Sequence, residues 1–426
     1  MIKLLNIRTF KAFQSRNYAL FFGGQLVSRI GMWMQRTAVV WIVYSMTHST
    51  FMLGVTVFAE QFPSFLFSVF GGVVADRYNR YKVLMITQIV SAVQAILLTV
   101  LVFTGHHQIW QILSLSVLLG IVNAFDIPAR QPLVHDIINK KEDLPNAIAL
   151  NSTLNNLARL IGPSLSGIIL TQFGAANCFL LNAISFVAVI ISLMLMKLPP
   201  YHPNPVKKKV MTDLKEGFLY MKNTPKISVI LLILSLLSLL VVPYNTLLPV
   251  YAKVIFHGDA ATFGYINSFI GLGAVTAAIY LASLKSGTSL KKILFTNTLI
   301  LGVSLIIFSH LNVFPIAMAI AVVCGFGTMS LIPICNTILQ LEAEEAMRGR
   351  VISFFAMAAF GMIPLGSLLI GFVSKYIGAP NSILLQGIMA LIIAFSFYAL
   401  HKKKTKNKKK LLTINTEETD NINNTI

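Results

Sequence analysis

The sequence predicts an all-α integral membrane protein with twelve transmembrane helices in two pseudo-symmetric six-helix bundles. Three observations predict it. First, 56% of the 426 residues are hydrophobic and 12% are charged, about half the roughly 25% charge of soluble domains. The apolar runs have the roughly 20-residue length of spanning helices and exceed that of barrel strands. Second, the loops alternate between strongly basic and nearly neutral. Third, the second half echoes the first: Gly162, Gly167, Gly174 and Asn177 recur at Gly366, Gly371, Gly378 and Asn381 with a constant offset. Gly-Ala-Ala-Asn at 174–177 returns as Gly-Ala-Pro-Asn at 378–381, and Ile127-Pro128 as Ile332-Pro333 with the offset changed by one.

In chain order, residues 1–18 are basic through Lys3, Arg8, Lys11 and Arg16, and carry Ile2, Leu5, Phe10 and Phe13 as an amphipathic lead-in. No short apolar segment with a small-residue cleavage site follows, so no cleaved signal is expected. A first bundle is expected over 19–198, with spans near 19–46, 51–75, 83–104, 109–127, 146–171 and 177–197. A Pro- and Lys-rich linker covers 199–225. The second bundle covers 226–400, with spans near 226–251, 261–283, 292–311, 313–340, 351–374 and 382–400. Residues 401–426 read as a basic, disordered tail.

The basic loops place both termini in the cytoplasm. The N-terminus, the 76–82 turn, Arg130 with Lys140 and Lys141, the linker, Lys285 with Lys291 and Lys292, Arg348 with Arg350, and the tail share one side; Lys253 and Lys375 lie on the other. This asymmetry accounts for the net charge of +19 without a nucleic-acid partner. Cys178, Cys324 and Cys335 form no CxxC pair and imply neither a disulfide framework nor a metal site. A parallel repeat of six spans is the organisation of transporters that rock about a central site.

The sharpest local pattern is Gly72-Val-Val-Ala-Asp76-Arg77-Tyr-Asn79-Arg80-Tyr-Lys82, a charged turn between the second and third spans. Charge is costly in hydrocarbon, so this turn belongs at a membrane surface, with Asn79 where a φ > 0 residue is expected. Gly72, Asp76, Arg77 and Arg80 match the Gly-x-x-x-Asp-Arg-x-x-Arg signature one by one, and the chain resembles the major facilitator superfamily there. Asn79 stands where that family usually has Gly, and the second basic residue comes one later, as Lys82. Gly162-Pro163-Ser-Leu-Ser-Gly167 in the fifth span resembles the Gly-Pro signature of the superfamily's exporters. Ser15-Arg16-Asn17-Tyr18, Phe21-Phe-Gly-Gly-Gln25, Gly31-Met-Trp33-Met-Gln35, Asn123-Ala-Phe-Asp126-Ile-Pro-Ala-Arg130-Gln131 and Leu144-Pro-Asn-Ala147 resemble the branch containing bacterial enterobactin exporters and macrolide-efflux proteins. The resemblance implies a multi-pass protein of the bacterial cytoplasmic (inner) membrane, a rocking cycle and proton-driven export. A Gly-Pro kink with close packing explains the fifth-span residues equally well.

Intramembrane charges are functional candidates. Arg29 and Arg36 lie in the first span, Glu60 in the second and Arg159 in the fifth. At 1.5 Å per residue, Arg36 and Glu60 lie about 24 and about 22 Å from the basic ends of their spans, and can meet. Glu60 is expected to carry a coupling proton, with Arg36, Arg159 and Arg29 setting its electrostatics; a fixed Arg36–Glu60 ion pair is the alternative. Gly72, Asp76, Arg77, Arg80, Asp126, Arg130, Gly162, Pro163 and Gly167 are expected to form the conformational gate. Asp126 and Arg130 are placed at the cytoplasmic mouth of the fourth span, which is read as lacking the family's helix-four Arg. Trp33, Gln35, Asn123, Asn155, Tyr244 and Asn336 are candidates to line the substrate cavity.

No nucleotide-binding loop or convergent catalytic set is present, which argues against direct ATP drive and against an enzyme. The reading is a cofactor-free, proton-coupled exporter of a small amphipathic molecule such as a siderophore or drug, acting as a monomer in the lipid bilayer. A nutrient importer and a membrane enzyme or lipid-handling protein are the alternatives. Excess intramembrane arginine disfavours cationic substrates and suits neutral or anionic, hydroxyl-rich ones.

Overall fold

The computed structural model describes residues 8–198, 210–285, 287–399 and 402. The expectations for residues 1–7, for 199–209 of the linker and for the tail from 403 lie outside them. Among the described residues every regular element is helical. The first six membrane helices are α1 (Arg16–Thr47), α2 (Thr50–Arg77), α3 (Arg80–Phe103), α4 (Ile109–Ile137), α5 (Leu144–Phe173) and α6 (Ala175–Met194). The second six are α7 (Pro225–Ile255), α8 (Ala260–Ala282), α9 (Leu290–Ser309), α10 (Phe314–Glu342), α11 (Arg348–Ile377) and α12 (Ala379–Ala399). A separate helix, Val210–Asn223, precedes α7 in the linker.

Ten of the twelve are long and apolar enough to cross a membrane on their own composition. The other two, α1 at 32 residues and α5 at 30, have the length but carry Arg29, Arg36 and Arg159. Their packing resolves the conflict. Helix α1 packs against α5 and α6, and α5 packs against α1 and against α8 of the other half. The polar stripes thus face protein and a central cavity instead of lipid.

The halves meet along two seams, α5 with α8 and α2 with α11. Both seams are built on glycine. A Cβ at Gly264 would come within 2.4 Å of the Pro163 carbonyl oxygen, and one at Gly54 within 2.4 Å of the Ser367 carbonyl oxygen. Gly167 abuts Ala260 and Ala261, while its repeat partner Gly371 abuts Thr50 and Gly54. The pseudo-symmetry read from the sequence therefore reappears as two equivalent contacts. Gly174 and Gly378 match as well, with φ +83° and +81° at the α5–α6 and α11–α12 junctions.

The seams close one end of the molecule. Thr50 donates to the Gly371 carbonyl at 3.0 Å, and Thr171 to Asp259 at 3.2 Å. Seam contacts continue inward to Leu160–Gly271 and Phe65–Gly361, near the helix midpoints. This closed end is called the far end; the other, carrying Arg77, Arg80 and Lys82, is the basic end. Towards the basic end α5 exposes Ser152, Thr153 and Asn155, and α10 exposes Gln340. The halves part in that direction.

Several local expectations are corrected. The fourth helix does not stop at residue 127; it continues to Ile137 through Pro128 and Pro132. Pro128 leaves the Ala124 carbonyl without its helical donor, and Gly71 lets α2 approach so closely that a Cβ there would lie 1.9 Å from that oxygen. Ala129, Leu133, Val134 and Ile137 are buried at helical spacing, and that packing overrides the breakers. Asp126 and Arg130 therefore sit inside a helix, not at its mouth, and helix four does contain an arginine. Asn79 has φ −61°, not a positive φ; it caps α3, accepting from the Tyr81 and Lys82 amides at 3.0 and 3.3 Å. Part of the lead-in, Arg8–Gln14, forms a 3-10 turn docked on the bundle, with the Ala12 amide on the Asn146 side chain at 3.0 Å and the Phe13 ring tilted against Tyr18 and edge-on to Phe22. Helix α7 is irregular beyond Leu240, with a 3-10 stretch Val242–Leu247 and a π turn Tyr251–Ile255 around Pro243 and Pro249.

Candidate functional site

One face of α1 organises the interior. Gln25, Arg29, Trp33 and Arg36 fall at spacings of four, four and three, so they stack along one side of the helix. The Gly162-Pro163 kink brings α5 against this face, since a Cβ at Gly162 would lie 2.5 Å from the Trp33 Cβ. The Ser166 hydroxyl donates to the Met34 carbonyl at 2.9 Å and fixes the same contact. The motif is thus a three-helix junction: Gly162 admits α1 and Gly167 admits α8.

Two guanidiniums flank Trp33. Arg36 Cζ lies 5.3 Å from its ring centroid and Arg159 Cζ 5.1 Å, within the range of cation–π attraction. Arg36 Nε pairs with Glu60 Oε2 at 3.4 Å. The Glu60 side chain is 16% exposed. Arg159 contacts the Met329 sulfur of α10, and its Nε is buried without a hydrogen-bond partner. Among the described residues no carboxylate lies within ion-pairing distance of Arg159. The site therefore draws on α1, α2 and α5 from one half and on Met329 from the other.

A second cluster lies nearer the basic end. Asp126 Oδ1 accepts from Gln88 at 2.7 Å and Thr87 at 3.1 Å, while Oδ2 pairs with Arg130. Arg130 also donates to Gln25 Oε1 at 3.3 Å. Arg29 feels the Asp126 charge without reaching ion-pair distance. Arg29, Gln25, Arg130, Gln131, His135, Asn151 and Asn155 line a cavity of about 510 Å³. Asn155 and Arg159 are four apart on α5, as Arg29 and Trp33 are on α1, so the cavity wall leads to the central cluster.

The other sequence candidates divide clearly. Trp33 and Asn155 belong to these two clusters. Gln35 is buried, donating to Gln94 at 3.0 Å and accepting from Asn182 at 2.7 Å; it ties α1 to α3 and α6 and does not line the cavity described above. Tyr244 is buried in the second half, with Thr328 against its hydroxyl. Asn123 and Asn336 are half-buried, and Asn336 accepts from Gln340 at 3.1 Å. Arg80 pairs with Asp136 at 3.2 Å. A Cβ at Gly72 would meet nothing within 4 Å, and the tight approach belongs to Gly71. Sequence reasoning missed Gln25, Thr87, Gln88 and Met329. The Gln25–Arg29–Trp33 spacing was a usable signal for the first; the rest are supplied by other helices.

Two six-helix bundles closed against each other at one end, with a charged cavity lined by α1, α4 and α5 of the first, define a membrane transporter of the two-bundle kind. The chain belongs to the transmembrane secretion effector family of the major facilitator superfamily, whose family model matches residues 7–423. It is 27% identical over 390 residues to the staphyloferrin A transporter of Staphylococcus aureus, covering 90% of this chain and 96% of the relative. It is 26% identical to the enterobactin exporter EntS of Citrobacter koseri, covering 82% of each chain. Among solved structures, a POT family transporter in complex with 5-aminolevulinic acid has the same fold, with TM-score 0.73 at 14% identity over 91% of this chain and 96% of that one. The superfamily resemblance noted in the sequence thus holds across nearly the whole chain.

Proposed function

We infer that this chain is a proton-coupled exporter of a small amphipathic molecule, working by alternating access with the proton gradient as its energy source. The observation that carries this reading is the Arg36–Glu60 pair, flanked by Trp33 and Arg159, on the α1 face that continues through Arg29 and Gln25 into the cavity nearer the basic end. The basic end is assigned to the cytoplasm, as are both termini, because Lys and Arg concentrate there. The state described is then inward-facing, ready to take substrate from the cytoplasm. Relatives named as a staphyloferrin A transporter and an enterobactin exporter favour a siderophore-like cargo, exported across the bacterial inner membrane.

Glu60 is the proton carrier in this reading. Asp126 is held by three side chains, whereas Glu60 has one contact, at 3.4 Å and partly exposed. Protonating Glu60 removes the charge that pairs with Arg36 and frees that guanidinium. Antiport requires that the proton and a hydrogen-bond donor of the substrate compete for the Glu60 carboxylate, so that the ionised form holds substrate and protonation releases it. The rocking motion hinges on the Gly162-Pro163 and Gly167 junction, with Gly72, Asp76, Arg77, Arg80, Asp126 and Arg130 forming the basic-end gate. One copy contains all of these groups, so the working unit is a monomer.

The test uses inverted vesicles holding the purified protein, with an acidified lumen. A catechol siderophore is compared with a macrolide, in wild type and Glu60→Gln. Substrate-triggered proton efflux that disappears in Glu60→Gln is the expected result. Unchanged coupling in that variant removes Glu60 from the mechanism.

A further inference from the structure

The interior holds more positive charge than it can neutralise. Arg29, Arg36, Arg130 and Arg159 face the two carboxylates Glu60 and Asp126. Each carboxylate is committed, Glu60 to Arg36 and Asp126 to Arg130, Thr87 and Gln88. Arg29 and Arg159 are left over. Arg29 lines the cavity and, beyond the charge of the more distant Asp126, has no contacting ion-pair partner among the described residues. Arg159 has a soft sulfur neighbour and a buried, unbonded Nε. Guanidinium groups held in a bundle interior without a counter-ion in contact are costly unless something anionic completes them.

Arg29 lines the cavity, and Arg159 lies one turn past the cavity-lining Asn155 on α5. Arg29 is one helical turn, about 6 Å, from Trp33, and Arg159 lies over the Trp33 ring. Asn151, Asn155 and Gln131 offer hydrogen-bond donors and acceptors on the cavity wall between the basic end and Trp33. We propose that the transported molecule carries at least two carboxylates, one seated on Arg159 above Trp33 and another on Arg29, and that these two arginines select for it. This deepens the exporter reading and rests on it for the word "transported", but binding can be measured without transport.

The probes are straight-chain α,ω-dicarboxylates from succinate to sebacate, with suberamide and inorganic phosphate as controls. Binding to the detergent-purified full chain is read by calorimetry. The expected result is saturable binding that peaks at an intermediate chain length and is absent for suberamide and weak for phosphate. Arg29→Gln and Arg159→Gln should each weaken it about tenfold or more, the scale of one charge-assisted bond pair. Arg159→Lys should recover part of the loss, because it restores charge without the planar fork. Protection of the buried cysteines from a thiol reagent confirms that each variant is folded. No dicarboxylate binding, equal binding to suberamide, binding of phosphate as strong as suberate, or affinity unchanged in both Gln variants overturns the proposal. Arginine-dependent binding without proton-linked movement in vesicles would instead sink the exporter reading and leave this one intact.

Discussion

Replacing Asp126 with Asn is the most informative single perturbation of the packed interior. The side chains of Asp126 and Arg130 are 5% and 9% exposed, and they pair one turn apart on α4. The introduced amide would keep an oxygen for Gln88 and Thr87, so the hydrogen bonds at 2.7 and 3.1 Å have a replacement acceptor. What disappears is the negative charge facing Arg130, with Arg29 nearby. Removing one member of a buried pair costs about 3–5 kcal/mol, because the remaining ion stays desolvated. That corresponds to roughly two orders of magnitude or more in the unfolding equilibrium. The protein carries its own reporters: Cys178, Cys324 and Cys335 are all buried and free. A thiol-reactive fluorophore therefore labels them only on opening. Asp126→Asn should label much faster on heating, and Asp126→Asn with Arg130→Gln should recover much of the loss, because the unpaired charge is gone. A single variant as stable as wild type, or a double variant worse than the single, would refute the view of Asp126 as counter-charge to Arg130.

Further outcomes follow from the same geometry. Gly264→Val places a side chain where even a Cβ lies 2.4 Å from the Pro163 carbonyl; it should force the far-end seam apart and abolish transport, and a cysteine pair at 171 and 261 should cross-link less. Asn79→Ala removes the α3 cap and should cost about 1 kcal/mol, read as earlier thermal cysteine labelling; no change would show that the capping bonds are idle. Burial works against the Asp259 carboxylate, but bonds from Thr262, Thr171 and the Ala261 amide outweigh it and hold its carboxyl below the ordinary range. The folded pKa is lowered, so its contribution to the closed far end is present above the ordinary Asp pKa and lost as pH falls through the lowered value. Hydrogen exchange at the Ala261 and Thr262 amides should quicken over that acid window in wild type and show no such step in Asp259→Asn.

The basic-end turn was legible because its chemistry is local. Gly72 to Lys82 must leave the membrane wherever the rest of the chain goes, and the spacing of Asp76, Arg77 and Arg80 suffices to recognise it. The Arg36–Glu60 contact at 3.4 Å was also within reach, since adjacent antiparallel helices with known rise bring equal depths together. Gln35 was not. Its type and span suit a cavity wall, but whether a polar side chain faces a cavity or a neighbouring helix depends on which helix occupies that side, here α3 and α6 through Gln94 and Asn182.

By itself the sequence determined the membrane class, the twofold repeat, the sidedness of charge and the list of intramembrane ions, because hydrocarbon penalises charge and unpaired backbone wherever they occur. Only the tertiary structure decided which ions are satisfied. Asp126 moved from a supposed helix mouth to a buried pair because α4 packs tightly enough to run through Pro128 and Pro132. Arg159 became an uncompensated cation because the helix facing it, α10, presents Met329 and not a carboxylate. Pairing is a property of distance between helices far apart in sequence, and helix rise along one chain does not contain it.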